Sequence, residues 1–251
     1  MKTLFTYLFT ISFLLGFGNF AFAQENNQIK KTSPQKDSVT FKDKYGIRFG
    51  VDIAKPVRSL LDKDYTGFEL VGDYRLYKRI YVAAEIGNED YSYTEPYIDA
   101  NTKGSYVKIG ANYNTYHNWL DMQNEIYAGI RYGFSSFTQT LNRYKVYTTD
   151  GYFEQEIRSP QTEFSGLTQH WVELQIGLKT EVLNNLFLGI HAQIKRSFGG
   201  SSPSNFANLY VPGFHRTYEG SDFGVGWGYS ISYLIPIFKK EQKVKTPEKM
   251  E

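Results

Sequence analysis

The chain has 251 residues, with 28 Lys and Arg against 26 Asp and Glu and a formal charge of +2. That balance, with no basic stripe interleaved with aromatics, excludes nucleic acid as a partner. The absence of Cys excludes disulfides and a lipid-anchored cysteine, and without paired His spacing no metal site or cofactor is expected.

Aromatic residues make up 17% of the chain, including 21 Tyr, yet mean hydropathy is -0.44. After the first residues no stretch approaches about 18 consecutive apolar positions, so a helical membrane protein is excluded. A membrane β-barrel is not, because its strands are apolar only at every second position.

In chain order, Lys2, an apolar run from Leu4 to Phe17, and Ala21-Phe22-Ala23 before Gln24 form the pattern of a secretory signal peptide over 1–23. Residues 24–43 are polar and aperiodic and read as a flexible lead-in. From Tyr45 a period of two begins, with Ile47, Phe49, Val51 and Ile53 opposite Gly46, Arg48, Gly50 and Asp52, and Pro56 ends it. A second strand sets Phe68, Leu70, Tyr74 and Leu76 against Glu69, Val71, Asp73 and Arg75. After the short Tyr77-Lys78-Arg79, a third sets Ile80 to Ile86 against Tyr81, Ala83, Glu85 and Gly87.

A Tyr-rich connection from Asn88 to about Gly104 is expected next, then a fourth strand with Lys108 on its polar face. The turn Tyr116–Gln123 leads to a fifth, with Glu125 and Arg131 opposite Ile126, Ile130 and Phe134. The following connection, to about Gln169, contains Thr149-Asp150-Gly151 between Tyr144–Thr148 and Tyr152–Ile157, a hairpin signal. Its arms are too short to span a bilayer and are expected beyond the rim; if they join the wall, the strand count is ten. A sixth strand (Glu173, Lys179) and a seventh (His191, Lys195) meet at Asn184-Asn185, with Glu181 just before that turn. A Gly/Ser/Pro-rich loop from Gly199 to Gly220 precedes the closing strand Phe223–Ile235, where large residues alternate with Gly or Ser. Residues 239–251 read as a charged tail.

Eight spanning strands with long connections after the odd ones and short ones after the even ones predict an all-β fold. It is an antiparallel up-and-down transmembrane β-barrel over 44–238, with both termini periplasmic. Tyr74, Tyr113, Trp119, Phe134, Trp171 and Phe198 near strand ends are expected in interfacial girdles. The competing model is a secreted soluble lipocalin-like barrel with its apolar face inward. Glycines on the charged face favour the membrane form, because Gly suits a crowded lumen better than a solvated strand surface.

With this pattern the chain resembles the small eight-stranded outer-membrane β-barrel proteins of Gram-negative bacteria, among families known only as uncharacterised barrels. The resemblance implies outer-membrane lipid, lipopolysaccharide and the barrel-assembly machinery as partners, and no cofactor. Phe238 matches the terminal aromatic that the machinery reads, although Pro236 and the following tail depart from the pattern.

The predicted lumen holds Arg48, Asp52, Glu69, Asp73, Arg75, Glu85, Lys108, Glu125, Arg131, Glu173, Lys179, Glu181, His191 and Lys195. Near balance of sign predicts a structural salt-bridge network, and eight strands leave no room for a wide pore. Catalysis is the contrasting class: some such barrels modify lipid A or phospholipids. His117, His170, His191 and His215 lie in no His-x-Ser pattern and G-x-S-x-G is absent, so no catalytic residue is assigned. His191 is placed in the lumen near Glu173 or Lys195, and His215 in an external loop without a partner. Loop aromatics, among them Tyr91, Tyr93, Tyr97, Tyr147, Tyr152, Tyr210 and Phe214, are expected either to face outward as a recognition surface for an extracellular ligand or protein or to pack the loops onto one another and meet lipopolysaccharide headgroups.

Overall fold

The computed structural model describes residues 40–243 apart from 117, 119–121, 147–155, 204–206 and 219. The signal peptide, Trp119, Tyr147, Tyr152 and the hairpin tip therefore lie outside the described residues.

Eight long strands form the wall: β1 (Thr40–Asp52), β2 (Tyr65–Tyr77), β3 (Ile80–Glu95), β4 (Ile98–Asn114), β5 (Glu125–Lys145), β7 (Thr162–Leu183), β8 (Leu186–Gly200) and β11 (Phe223–Lys243). Each pairs antiparallel with its neighbour in the chain, and β11 returns to β1, so the sheet closes on itself. Closure leaves no ladder edge along the paired wall, which backbone groups in hydrocarbon require.

Following paired residues from Phe223 through Arg196, Val172, Tyr132, Ile109, Ala84, Gly72 and Phe49 leads back to β11 at Tyr233. The strands are therefore strongly staggered and tilted, and the interior is just wide enough for side chains.

The faces divide as the alternation requires. Ile47, Phe49, Leu70, Ile130, Leu174 and Ile176 are exposed outside, whereas Arg48, Glu69, Lys108, Glu125, Arg131 and Glu173 are buried inside. The soluble barrel with an inward apolar face is overturned: its core would have to be the surface that carries these charges. Among the described residues no helix is long and apolar enough to cross a membrane; the strands do so, and the fold is a transmembrane β-barrel.

Small residues make room for inward aromatics. A Cβ on Gly133 would overlap the Trp171 indole, and one on Gly177 the Tyr127 ring. Trp171 is fully buried, so its expected place in an outer girdle is corrected: it shares the inward parity of Glu173.

Several boundaries differ from the alternation alone. β3 and β4 run straight through the expected Asn88–Gly104 connection and leave only Pro96 and Tyr97 between them. β5 and β7 likewise extend into the expected loop, pairing as far as Leu141↔Thr162. The apolar outward rows end at Ile86, Val107 and Phe134, after which Asn88, Ser105 and Ser136 face out, yet backbone pairing continues. A four-stranded sheet thus projects beyond the apolar band. The short β6 (Ile157–Arg158) pairs only with β5, at Tyr144↔Arg158 and Lys145↔Ile157, so the ring has eight strands rather than ten.

At the other end the ladder reaches Thr40↔Lys243, so the wall takes in residues assigned to the lead-in and the tail. Pro236 does not end β11: it falls at a register shift, where the missing N–H breaks no regular ladder.

Helix α1 (Ala54–Leu61) was not signalled by a long helical period. β1 stops at Asp52 below the tops of its neighbours, and α1 packs against β2 and β11 above it. Asp52 Oδ1 accepts from the Ala54 backbone N–H at 2.7 Å, and Ile53 N donates to Tyr229 O at 2.7 Å. Val57, Leu60 and Leu61 face out, continuing the apolar surface where strand is missing.

Candidate functional site: a sealed lumen and a folded mouth

Three layers of charge fill the barrel. Near the short turns, Lys44 Nζ lies 2.9 Å from Glu181 and Arg75 lies 3.0 Å from Asp43; both pairs sit partly open to solvent. In the middle, Arg48 forks onto Asp73 (2.8 Å) and Glu125 (2.5 Å), and Lys179 reaches the same Asp73 at 2.5 Å. Phe187 and Tyr81 flank the Arg48 guanidinium at 4.7 and 5.6 Å. Above this, Lys108 bridges Glu85 (2.6 Å) and Glu69 (3.3 Å), and Arg131 lies 3.2 Å from Glu85. Trp171 Nε1 donates to Glu173 at 3.3 Å. His191 faces Asp52 across Gly228, whose missing side chain leaves space for both.

Most of these charges survive burial because they are paired, and Glu173 is held by Trp171 and Gln175 donors; removing one partner of a pair costs far more than the pair contributes. A space of about 30 Å³ in the lumen is lined by Arg48, Asp73, Glu85, Arg131, Lys179 and His191. It is far below the several hundred Å³ of ligand sites.

The mouth is closed by the connection between β8 and β11, which contains β9 (Tyr210–Val211) and β10 (His215–Arg216). This segment folds inward, correcting the expectation that Tyr210 and Phe214 form an external recognition surface: each is 2% exposed. The alternation of wall strands carries no signal for where a loop turns, and the cause is visible only in three dimensions. Val211 and Phe214 enter an apolar cup made by Tyr106, Phe137, Leu167 and Trp171. Gly213 adopts φ +79 directly over the Tyr106 ring, where any side chain would clash.

Glu89, fully buried, is the polar centre of this closure. It accepts from Tyr65 Oη (3.0 Å), Tyr210 Oη (2.8 Å) and the Gly213 backbone N–H (2.9 Å), and it pairs with Lys55 of α1. Lys195 Nζ donates to Gly213 O at 2.7 Å. Gln139 grips the segment's start, donating to Ala207 O at 3.0 Å and accepting from Leu209 N at 3.1 Å. Glu89 and Gln139 were assigned to connections by sequence. Continuing the inward parity of Glu85 and Gly87 along β3 is the signal that finds Glu89.

His215 is not a partnerless external residue. Its Nε2 lies 3.7 Å from Glu89, too far for a hydrogen bond, and its ring stacks on Tyr210 with centroids 6.2 Å apart. Burial, then the nearby Lys195 ammonium, pull its pKa down to about 3 against the opposing pull of Glu89. It is therefore neutral when docked.

Of the remaining Tyr positions, Tyr91 is half-buried against Tyr210, with centroids 4.6 Å apart. Tyr93 Oη accepts from Arg216 at 2.6 Å, and Tyr97 is exposed at the β3–β4 tip.

In comparisons with solved structures the chain is similar to Ail, the attachment invasion locus protein of Yersinia pestis, at 12% identity and TM-score 0.37. That match covers 76% of this chain and 97% of the other. It is similar also to Neisserial surface protein A (9% identity, TM-score 0.35, covering 78% and 96%) and to CarO2 of Acinetobacter baumannii (10%, 0.36, 78% and 100%). These scores are low, and the fold rests on the closed ladder itself. No curated protein matches the chain. Residues 4–240 match one family model, and the chain belongs to that family, described as Domain of unknown function (DUF6048).

Proposed function

We propose that this chain is an outer-membrane barrel with a structural or surface-interaction role, its short turns and both ends of the wall in the periplasm. The observation that carries the reading is the combination of an outward apolar band with a lumen filled by paired charges and closed by residues 207–218. Such a wall is built to sit in a bilayer, and such a lumen is built to stay shut.

The projecting sheet of β3, β4, β5 and β7, with Tyr97 and Tyr218 exposed, offers the surface for an extracellular ligand or protein. Lipopolysaccharide and the barrel-assembly machinery are the partners this reading implies, and lipid modification is not part of it.

Fractionation tests the reading. The protein is expected in the outer membrane and to migrate differently on gels before and after boiling, because a closed ladder resists detergent. Protease added to intact cells should cut near 147–155 and spare the turns at 78–79 and 184–185. Recovery in the soluble periplasm, or cleavage at the turns alone, contradicts it.

A further inference from the structure

The rim where the apolar band ends is not uniform around the barrel. On β2, β3 and β4 the outward residues at that level are Thr66, Asn88 and Ser105. On β5, β7 and β8 they are aromatic and basic. Tyr132 Oη and His170 Nδ1 are hydrogen-bonded at 2.7 Å, fixing the imidazole and leaving its Nε2 edge unused by that bond. Phe134 packs on the same ring at 5.0 Å and Phe198 at 6.4 Å.

Beside them Arg196 points outward, with Val172 and Phe223 as its lateral neighbours. Its guanidinium lies 5.6 Å from the Phe223 ring, and among the described residues it has no carboxylate within ion-pair distance. Lys103, an outward cation on β4, by contrast lies 3.9 Å from Asp90. An arginine resting on the Phe223 ring, without a carboxylate partner at the edge of hydrocarbon, calls for an anion supplied by the surrounding lipid, and a guanidinium fits phosphate through paired donors.

We infer that Arg196, with His170 held by Tyr132, forms a binding site on the outer wall for the headgroup phosphate of a phosphorylated glycolipid. The inference rests on the proposed membrane orientation, which places this rim at the outer leaflet. The rings of Phe198 and Phe223 lie beside the acyl–headgroup boundary, where aromatics are favoured. The phosphate takes the guanidinium face left open toward lipid, and the imidazole Nε2 edge supplies a second polar contact.

The test uses the full chain, extracted in mild detergent. It is titrated with bisphosphorylated hexa-acyl lipid A, and bound lipid is counted by native mass spectrometry. Dephosphorylated lipid A and millimolar inorganic phosphate form the other arms. The wild type is expected to retain the phosphorylated lipid at least fivefold over the dephosphorylated one. Arg196→Gln should bring that ratio close to one, and Lys103→Gln should leave it unchanged. An unchanged ratio in Arg196→Gln, an equal loss in Lys103→Gln, or full displacement by inorganic phosphate overturns the site. If Arg196→Gln does not fold, Tyr132→Phe, which frees the imidazole, is expected to lower the ratio, and no change there overturns the site. Binding in detergent is independent of cellular location, so failed fractionation and failed binding are separable results.

Discussion

Lys195, on the wall strand β8, donates its ammonium to the carbonyl oxygen of Gly213, eighteen residues later, at 2.7 Å. The wall thus holds its own connecting segment by a buried charge on a backbone dipole, while Glu89 holds the preceding peptide through the Gly213 N–H at 2.9 Å.

Removing that grip should loosen the mouth and leave the barrel standing. Glu89→Ala leaves the Lys55 ammonium with Glu69 alone, at 3.6 Å, and strands the Tyr65 and Tyr210 hydroxyls. Breaking a buried pair in this way costs about 3 kcal/mol or more. The expected readout is faster hydrogen exchange and proteolysis within 207–218, with gel heat-modifiability retained.

Acid should act on the same segment through His215. Its docked pKa lies near 3, below the ordinary value of 6.5, so the released state takes up the proton first. Docking is fully favoured above pH 6.5 and weakens progressively as pH falls from 6.5 toward 3. A quarter of the side chain remains accessible, so solvent softens the effect. Protection factors of 207–218, corrected for the intrinsic exchange rate and measured from pH 7.5 to 5, should fall in the wild type, and His215→Gln should flatten that fall.

The crowded interior predicts opposite outcomes for adjacent residues. Gly177→Phe would drive a second ring into Tyr127; overpacking costs about 1–3 kcal/mol, sometimes more. Refolding yield should collapse. Ile176, 70% exposed on the lipid side, should accept Leu without loss, whereas Arg near the midplane costs roughly 2–4 kcal/mol. Folding titrations in urea with lipid vesicles measure all three.

The hairpin beyond the rim should be dispensable. β6 contributes only the pairs Tyr144↔Arg158 and Lys145↔Ile157, and replacing 146–156 with a short Gly/Ser turn removes no wall pairing. Circular dichroism and heat-modifiability should match the full chain.

Period-two alternation made the wall legible because a strand in a barrel meets two different media, and Arg48 beside Phe49 records that difference in adjacent letters. It failed where the outward face leaves hydrocarbon and meets water. At Asn88 to Glu95 the outward residues turn polar, so the strand continues with no contrast to mark it. Trp171 was misplaced for a related reason: an aromatic near a strand end suits a girdle, but its parity with Glu173 turns it inward. The mouth was the least legible part. Tyr210 and Phe214 are buried by residues of β3, β4, β5 and β7, and no local pattern in a Gly- and Ser-rich segment records contacts made with strands so distant in the chain. α1 escaped notice because eight residues are too few to establish a helical period.

The seam between β1 and β11 runs from Thr40↔Lys243 to Asp52↔Ser230. It joins the first wall residues made to the last, so the ring cannot close until almost the whole wall has been synthesised. A chain halted before Phe223 would carry exposed edges on both β1 and β8, which invite aggregation. Completeness is thereby written into the geometry: only a chain that reaches its last strand can conceal its first.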